Sequence, residues 1–278
     1  MSAIFMMLTV AACYTITSMS DKYAVAEAKF TNDEFTFLMC SSMSVFLILS
    51  LPFQKIYFHM GWQSVAAIGL IAICKMLEFQ MSARVLRELS AFELKAWLGI
   101  TLFLSYIMDV VYGEKMRWAK LVCISVTVAG LVLIAKSARD NKVNYRKIAI
   151  PLMLYLISKF GYGLVIKAFT PYVSSIMQLL PAMVIISLLL LPKVSFAKMF
   201  SEKRNSALKV ICARIPNTIG MILENMIIAI SLSNYSFIQP MVLTTLFLIG
   251  VIRREKRTWL NLAGSLVAII GIVMFQFI

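Results

Sequence analysis

Histidine is all but missing from this chain: His59 is the only one among 278 residues. A metal centre built on imidazoles is therefore not expected, and no cofactor is implied. The five cysteines (Cys13, Cys40, Cys74, Cys123 and Cys212) fall inside apolar runs and form no CxxC pair. They imply no disulfide framework. Charge is scarce at 14% of residues, and acid is scarcer than base, with 13 Asp and Glu against 27 Lys and Arg. The basic excess does not make a nucleic-acid surface, because no basic stretch carries interleaved aromatics. Catalytic signatures are absent as well. Without GxxxxGK[ST], hydrolysis of ATP by a P-loop is excluded, and without HExxH or GxSxG an enzyme is not expected.

What the chain has instead is apolar length. Hydrophobic residues make up 61% of it and its mean hydropathy is +0.86. A soluble domain has an apolar share of about 45–50%. A spanning helix needs about 20 mostly apolar residues. Ten runs meet that need, near 2–20, 34–52, 62–82, 91–111, 117–136, 148–167, 172–192, 208–231, 235–252 and 259–278. The expected fold is an all-α membrane protein of ten transmembrane helices. The first run starts at Ser2 with no basic leader and no small-residue cleavage site, so it reads as a retained span.

The runs are organised around one stretch and its echo. Glu114, Lys115 and Trp118 recur 141 positions later as Glu255, Lys256 and Trp259. Without a gap, Leu121 then meets Leu262, Gly130 meets Gly271 and Val132 meets Val273, and upstream Ser90 meets Ser231. A glutamate in a first turn suits the positive end of the helix dipole, a tryptophan marks the membrane interface, and the glycines let a neighbouring helix approach closely. Leu51-Pro52 ends the second run as Leu191-Pro192 ends the seventh, and Met76-Leu77-Glu78 resembles Ile222-Leu223-Glu224. Residues 1–136 form a first five-helix repeat, 137–147 a basic linker and 148–278 a second repeat. Two repeats of five spans each must point in opposite directions, the inverted layout of many secondary transporters.

The Gly-Glu-Lys that closes the fourth span, the central glycine of the fifth, and the duplication of both resemble the drug/metabolite transporter superfamily. The resemblance is to its ten-helix EamA-type branch and extends over nearly the whole chain. It departs from the pattern at Arg253-Arg254, where a leucine-glycine pair is usual. The resemblance implies alternating access at a site between the halves, in a bacterial cytoplasmic membrane. It also implies cargo drawn from amino acids, drugs and other metabolites, and both termini inside. The loop charges argue the other orientation. Odd-numbered connections hold most of the Lys and Arg, among them Lys22, Arg87, Lys95, Lys147, Lys203 and Lys209, whereas the even-numbered ones hold only Lys55, Lys115, Arg117, Lys120 and Lys167. By the positive-inside rule the termini then lie outside the cytoplasm.

An ionisable group deep in a span costs about 2.5–3.5 kcal/mol on insertion scales, so it faces a cavity or a partner. Lys75, Glu78, Lys159 and Glu224 are such groups, while Asp109 and Arg214 lie nearer span ends, where a side chain can snorkel. Lys75 and Glu78 are three apart and share a helix face. One reading makes them a neutralised bridge that fixes helix packing. The other places a substrate site at the centre, since Glu78 and Glu224 hold matching places in the two halves. The glutamates would take a substrate amine or a coupling proton, and the lysines a carboxylate or phosphate. Tyr14, Tyr155 and Tyr162, with Ser18 and Ser158, lie on the first and sixth spans and are candidate lining, as are Asn217, Asn225 and Gln239. Each tyrosine also has a plain reading as packing or interface anchor. Pro216 and Pro240 are candidate kinks.

Two deep charges of each sign favour a zwitterion. The expected function is secondary active export of a small polar metabolite, an amino acid or related zwitterion, driven by protons or by the solute gradient. A flippase for a phosphate-bearing lipid, using Lys75, Lys159 and Arg214, is the alternative, as is an organic-cation transporter using Glu78 and Glu224. Since duplication supplies both halves in one chain, a monomer suffices.

Overall fold

The computed structural model describes residues 3–89, 91–137, 145–252 and 259–278. The remaining stretches, which include Ser90, most of the basic linker, and the second cassette's Arg253, Arg254, Glu255 and Lys256, lie outside the described residues. Helix dominates, and no strand is found among the described residues. The helices are α1 (Ala3–Lys22), α2 (Asn32–Ser50), α3 (Trp62–Glu88), α4 (Ala91–Leu98), α5 (Thr101–Val111), α6 (Trp118–Ser137) and α7 (Tyr145–Phe169). They continue with α8 (Ser175–Leu190), α9 (Phe196–Glu202), α10 (Arg204–Cys212), α11 (Arg214–Ile230), α12 (Leu232–Ile252) and α13 (Trp259–Phe277).

Seven stretches are long and apolar enough to cross a membrane: Ile4–Glu27, Asn32–Phe53, Trp62–Glu88, Lys147–Phe169, Ser175–Lys193, Arg204–Ile230 and Leu232–Ile249. Shorter apolar stretches lie in α5, α6 and α13. The molecule is also inside-out relative to a soluble one. Leu49, Val65, Val122, Ile157 and Leu188 are more than half exposed on helix flanks, whereas Lys75, Glu78, Asp109, Lys159, Arg214 and Glu224 are all buried. Exposed apolar flanks on helices that satisfy their own backbones suit hydrocarbon, not water. This is a multi-pass integral membrane protein.

Local chemistry explains several helix ends. Thr31 and Glu34 close a capping box at the start of α2, with Glu34 N donating to the Thr31 hydroxyl at 3.1 Å and Thr31 N donating to the Glu34 carboxylate at 2.9 Å. As expected, α2 and α8 end at the Leu-Pro pairs, each passing into a short 3-10 turn, Leu51–Phe53 and Leu191–Lys193. Proline lacks the N–H that would extend the α-helical ladder. The run at 91–111 is broken rather than continuous. Gly99 and Ile100 form a turn, and the Thr101 hydroxyl takes the Leu98 carbonyl at 2.6 Å. Glycine weakens a helix, and a hydroxyl that bonds backwards satisfies a carbonyl the break sets free. The run at 208–231 breaks at Ala213, so Pro216 falls in the first turn of α11, where its missing N–H is harmless. Pro240 stays inside α12, which continues past it.

Hydrogen bonds at the helix termini mark two ends of the bundle. At one, the Lys22 ammonium donates to the Leu86 and Leu89 carbonyls at 2.6 and 3.1 Å, capping α3. At the other, the segment before α3 pairs with the segment before α8: His59 N donates to Tyr172 O and Ser174 N to Tyr57 O, both at 3.0 Å. α3 packs along α7, α1 along α11, α2 along α8, α5 along α12 and α6 along α13. The α6–α13 seam is the tightest. A Cβ on Gly130 would sit 2.5 Å from the Ala268 nitrogen, one on Gly264 would sit 2.8 Å from the Gly130 oxygen, and one on Gly271 would overlap the Thr127 hydroxyl. Gly130 and Gly271 thus allow the close approach expected of them.

Gly271→Val is therefore expected to lower the melting temperature of the detergent-solubilised protein, with overpacking costing about 1–3 kcal/mol. Gly69→Ala, whose new Cβ would meet nothing within 4 Å, should melt with the native chain. Equal melting of all three proteins would show that the seam tolerates side chains.

Candidate functional site

Helical spacing brings the site's groups onto shared faces. Lys75, Glu78 and Ser82 follow one stripe of α3; Tyr155, Lys159 and Tyr162 follow one of α7; Tyr14, Ser18 and Asp21 follow one of α1. On α11 the stripe runs through Arg214, Asn217, Met221 and Glu224. These faces turn toward one another where α1, α3, α7 and α11 meet.

At the centre, the charges form a chain of alternating sign. Lys75 Nζ lies 2.8 Å from Glu78 Oε2, and Lys159 Nζ lies 3.3 Å from Glu78 Oε1 and 3.0 Å from Glu224 Oε1. The Tyr14 hydroxyl donates to Glu224 Oε2 at 2.5 Å. One lysine thus joins the two glutamates that the sequence placed at matching positions. Aromatic rings enclose the ammonium groups. Lys75 Nζ sits 3.6 Å from the Tyr162 ring centroid, and Lys159 Nζ lies 5.5–5.8 Å from those of Tyr235, Tyr162 and Tyr14. The Tyr162 hydroxyl is spent on Asn225 Oδ1 at 2.5 Å, and that of Tyr235 on the Lys159 carbonyl at 3.0 Å.

Beside this chain lies a cavity with about 80 Å³ of space for water-sized molecules. A single water needs about 10–15 Å³ on that measure, so the space suits several waters or one small solute. Of the candidate residues, Tyr14, Lys75, Glu78, Tyr155, Lys159, Asn217 and Gln239 line it. Glu224 and Tyr162 stand behind the wall, where they hold Lys159 and Lys75. Ser18 lines the cavity, while the Ser158 hydroxyl turns to the Tyr155 carbonyl at 2.9 Å. From the central charges the lining climbs through Ser82 and Leu86 on α3 and Asp21 on α1, toward the end that Lys22 caps.

Several groups stand elsewhere than sequence reasoning put them. Arg214 does not snorkel: it is fully buried and its Nη2 lies 2.5 Å from Asp21 Oδ1, with Asp21 lining the cavity. Asp109 does not snorkel either. It accepts from the Leu232 and Ser233 backbone nitrogens at 2.9 and 2.7 Å and from Lys167 Nζ at 2.5 Å, capping α12 from α5. Lys95, counted among loop charges, lines the cavity and donates to Gln239 Oε1 at 2.7 Å. Asp21 and Tyr235 had not been singled out. The spacing of Asp21 from Tyr14 and Ser18, seven and three residues, was the signal that could have found it.

No protein-family model matches the chain, and no curated protein matches it. The argument for function therefore rests on the charge chain and the cavity beside it.

Breaking a buried pair leaves a charge without compensation and costs about 3–5 kcal/mol. Lys159→Met, which leaves Glu78 with Lys75 but Glu224 with no ion-pair partner among the described residues, is expected to lose about that much in thermal or denaturant unfolding. Lys75→Met should lose less, because Glu78 keeps Lys159. A larger loss for Lys75→Met would mean that Lys159 is not the bridging group.

Proposed function

We propose that this protein is a secondary active transporter of a small polar metabolite, in the first instance an amino acid or related zwitterion. The observation that carries the reading is a small cavity whose wall presents both signs of charge, deep among apolar helices. The four charges of the chain cancel one another, which lowers the cost of holding them in the membrane without cargo. A solute bearing both an ammonium and a carboxylate can exchange partners with it and leave no net charge behind. Bulky lipid tails do not suit the space, which weighs against a flippase. The lysines on the wall weigh against an organic cation.

We read the chain as ten spans in two inverted five-helix repeats, with α4–α5, α6 and α13 supplying the spans that fall short of full length as single apolar stretches. The packing pairs support this. Exchanging the halves turns the contact of α3 with α7 into that of α11 with α1, and returns α2–α8, α5–α12 and α6–α13 to themselves. Alternating access would follow from movement of one half against the other around Lys159, Glu78 and Glu224. The resemblance to EamA-type permeases points the same way. The cavity reaches toward the end that carries the odd-numbered, basic connections. By the positive-inside rule that end is cytoplasmic, so the cavity would load from inside and the protein would export. A glutamate freed from Lys159 is the candidate carrier of a coupling proton.

The test is counterflow in vesicles holding the purified protein, with labelled amino acids inside and a panel of amino acids, amines and sugar phosphates outside. At least one amino acid is expected to exchange, and Glu224→Gln is expected to cut the rate at least tenfold. If no amino acid or derivative moves or competes, the reading falls. Exchange confined to amines or to phosphates would replace it with one of its rivals.

A further inference from the structure

Three lysines face the cavity, and they are not equivalent. Lys75 and Lys159 are held by carboxylates at 2.8–3.3 Å. The Asp21 carboxylate on the same wall is taken by Arg214 at 2.5 Å. Lys95 differs, because its partner among the described residues is the neutral carboxamide of Gln239, at 2.7 Å. Among the described residues at the cavity and its wall, four cations (Lys75, Lys95, Lys159 and Arg214) thus stand against three acids (Glu78, Glu224 and Asp21), and Lys95 is the cation with no acid at ion-pair distance. An ammonium among apolar helices without a counter-charge is costly, so such a site favours an anion brought by the ligand.

Its position suits that task. Lys95 stands one turn before the break at Gly99 and Ile100, on a helix only eight residues long, and Gln239 stands directly before Pro240 in α12. Both side chains line the cavity together with Leu94, Tyr155 and Lys159. An ammonium donates to a carboxylate from any direction, and the Gln239 amide nitrogen offers a second donor to the other oxygen.

Building on the transporter reading, we infer that Lys95, assisted by Gln239, is the anchor for the carboxylate of the transported solute. The solute's ammonium then falls to the Glu78 side of the cavity. The pairing carries a second consequence. In the empty protein no carboxylate among the described residues lies at ion-pair distance from Lys95, so removing it should leave stability unchanged or raise it, whereas a structural tie between α4 and α12 would be missed.

Thermal melting of the full-length protein in detergent tests this with defined probes: acetate and benzoate, acetamide and benzamide, inorganic phosphate, and the twenty amino acids beside their carboxyl amides. At least one carboxylate is expected to raise the melting temperature of the native chain, with its amide at least tenfold weaker. Lys95→Met should lose that response while melting, without ligand, no lower than the native chain, and Lys95→Arg should keep it. The inference is overturned if no carboxylate stabilises the native chain, if phosphate does so where carboxylates do not, or if acid and amide act alike. It is equally overturned if Lys95→Met responds as the native chain does, or melts lower without ligand. Should simple carboxylates act through Lys95 while no amino acid outdoes them, the anchor stands and the zwitterion reading fails.

Discussion

A single ammonium holds the centre together. Lys159 on α7 lies between Glu78 on α3 and Glu224 on α11, and Tyr14 on α1 fastens the far side of Glu224. In a low-dielectric interior an unpaired carboxylate is far costlier than the same group at a surface, so these four helices cannot separate independently. Whatever moves must take Lys159 along with one glutamate or replace it at the other. On the transport reading this is the coupling: the solute's own ammonium is the group best able to take the place Lys159 leaves.

Contacts elsewhere in the bundle are of another kind. The α6–α13 seam is built from Gly130, Gly264 and Gly271, where backbones approach with no room for a Cβ, and Leu131, Ile134 and Ala268 are buried there beside Thr127. Such contacts gain from dispersion over many atoms and have no alternative partners to exchange. The α1–α3–α7–α11 junction is polar, and there Lys159 and Glu78 each pair with two groups of opposite charge. On the transport reading, the close-packed seam would serve as frame and the polar junction as the moving site. Asp109 belongs with the frame, because its carboxylate is saturated by two backbone nitrogens, two serine hydroxyls and Lys167.

What the sequence made legible follows from how conspicuous each signal is. Charges inside apolar runs are rare, so Lys75, Glu78, Lys159 and Glu224 stand out, and three-residue spacing predicts the Lys75–Glu78 pair. Leu-Pro steps and repeated glycines likewise mark helix ends and the close seam. Charges near the end of an apolar run are ambiguous: Lys95 and Arg214 look like interface anchors until neighbouring helices are in place to bury or enclose them. Tyr235 sits in an apolar stretch where nothing distinguishes a ring packed against lipid from one beside Lys159. The break at Gly99 was hidden because apolar composition continues across it, whereas the break at Ala213 lies three residues before Pro216, already a candidate kink. That Lys159 would bridge both glutamates was beyond reach of any one-dimensional pattern, because it depends on α7 crossing between α3 and α11.

The balance of charge bears on more than affinity. A carrier that returns empty must present a site that is tolerable to the bilayer without its cargo, and Lys75, Glu78, Lys159 and Glu224 meet that condition by neutralising one another. Self-neutralisation has a cost in selectivity, since a site already satisfied has little reason to choose among ligands. The surplus cation at Lys95 restores the choice. Its carboxamide partner covers the ammonium without cancelling it, so the empty cavity keeps a positive charge that an amine aggravates and a carboxylate relieves. On the transport reading, discrimination between ions of opposite sign would arise from the one group the internal pairing leaves over, and not from the four charges that first draw attention.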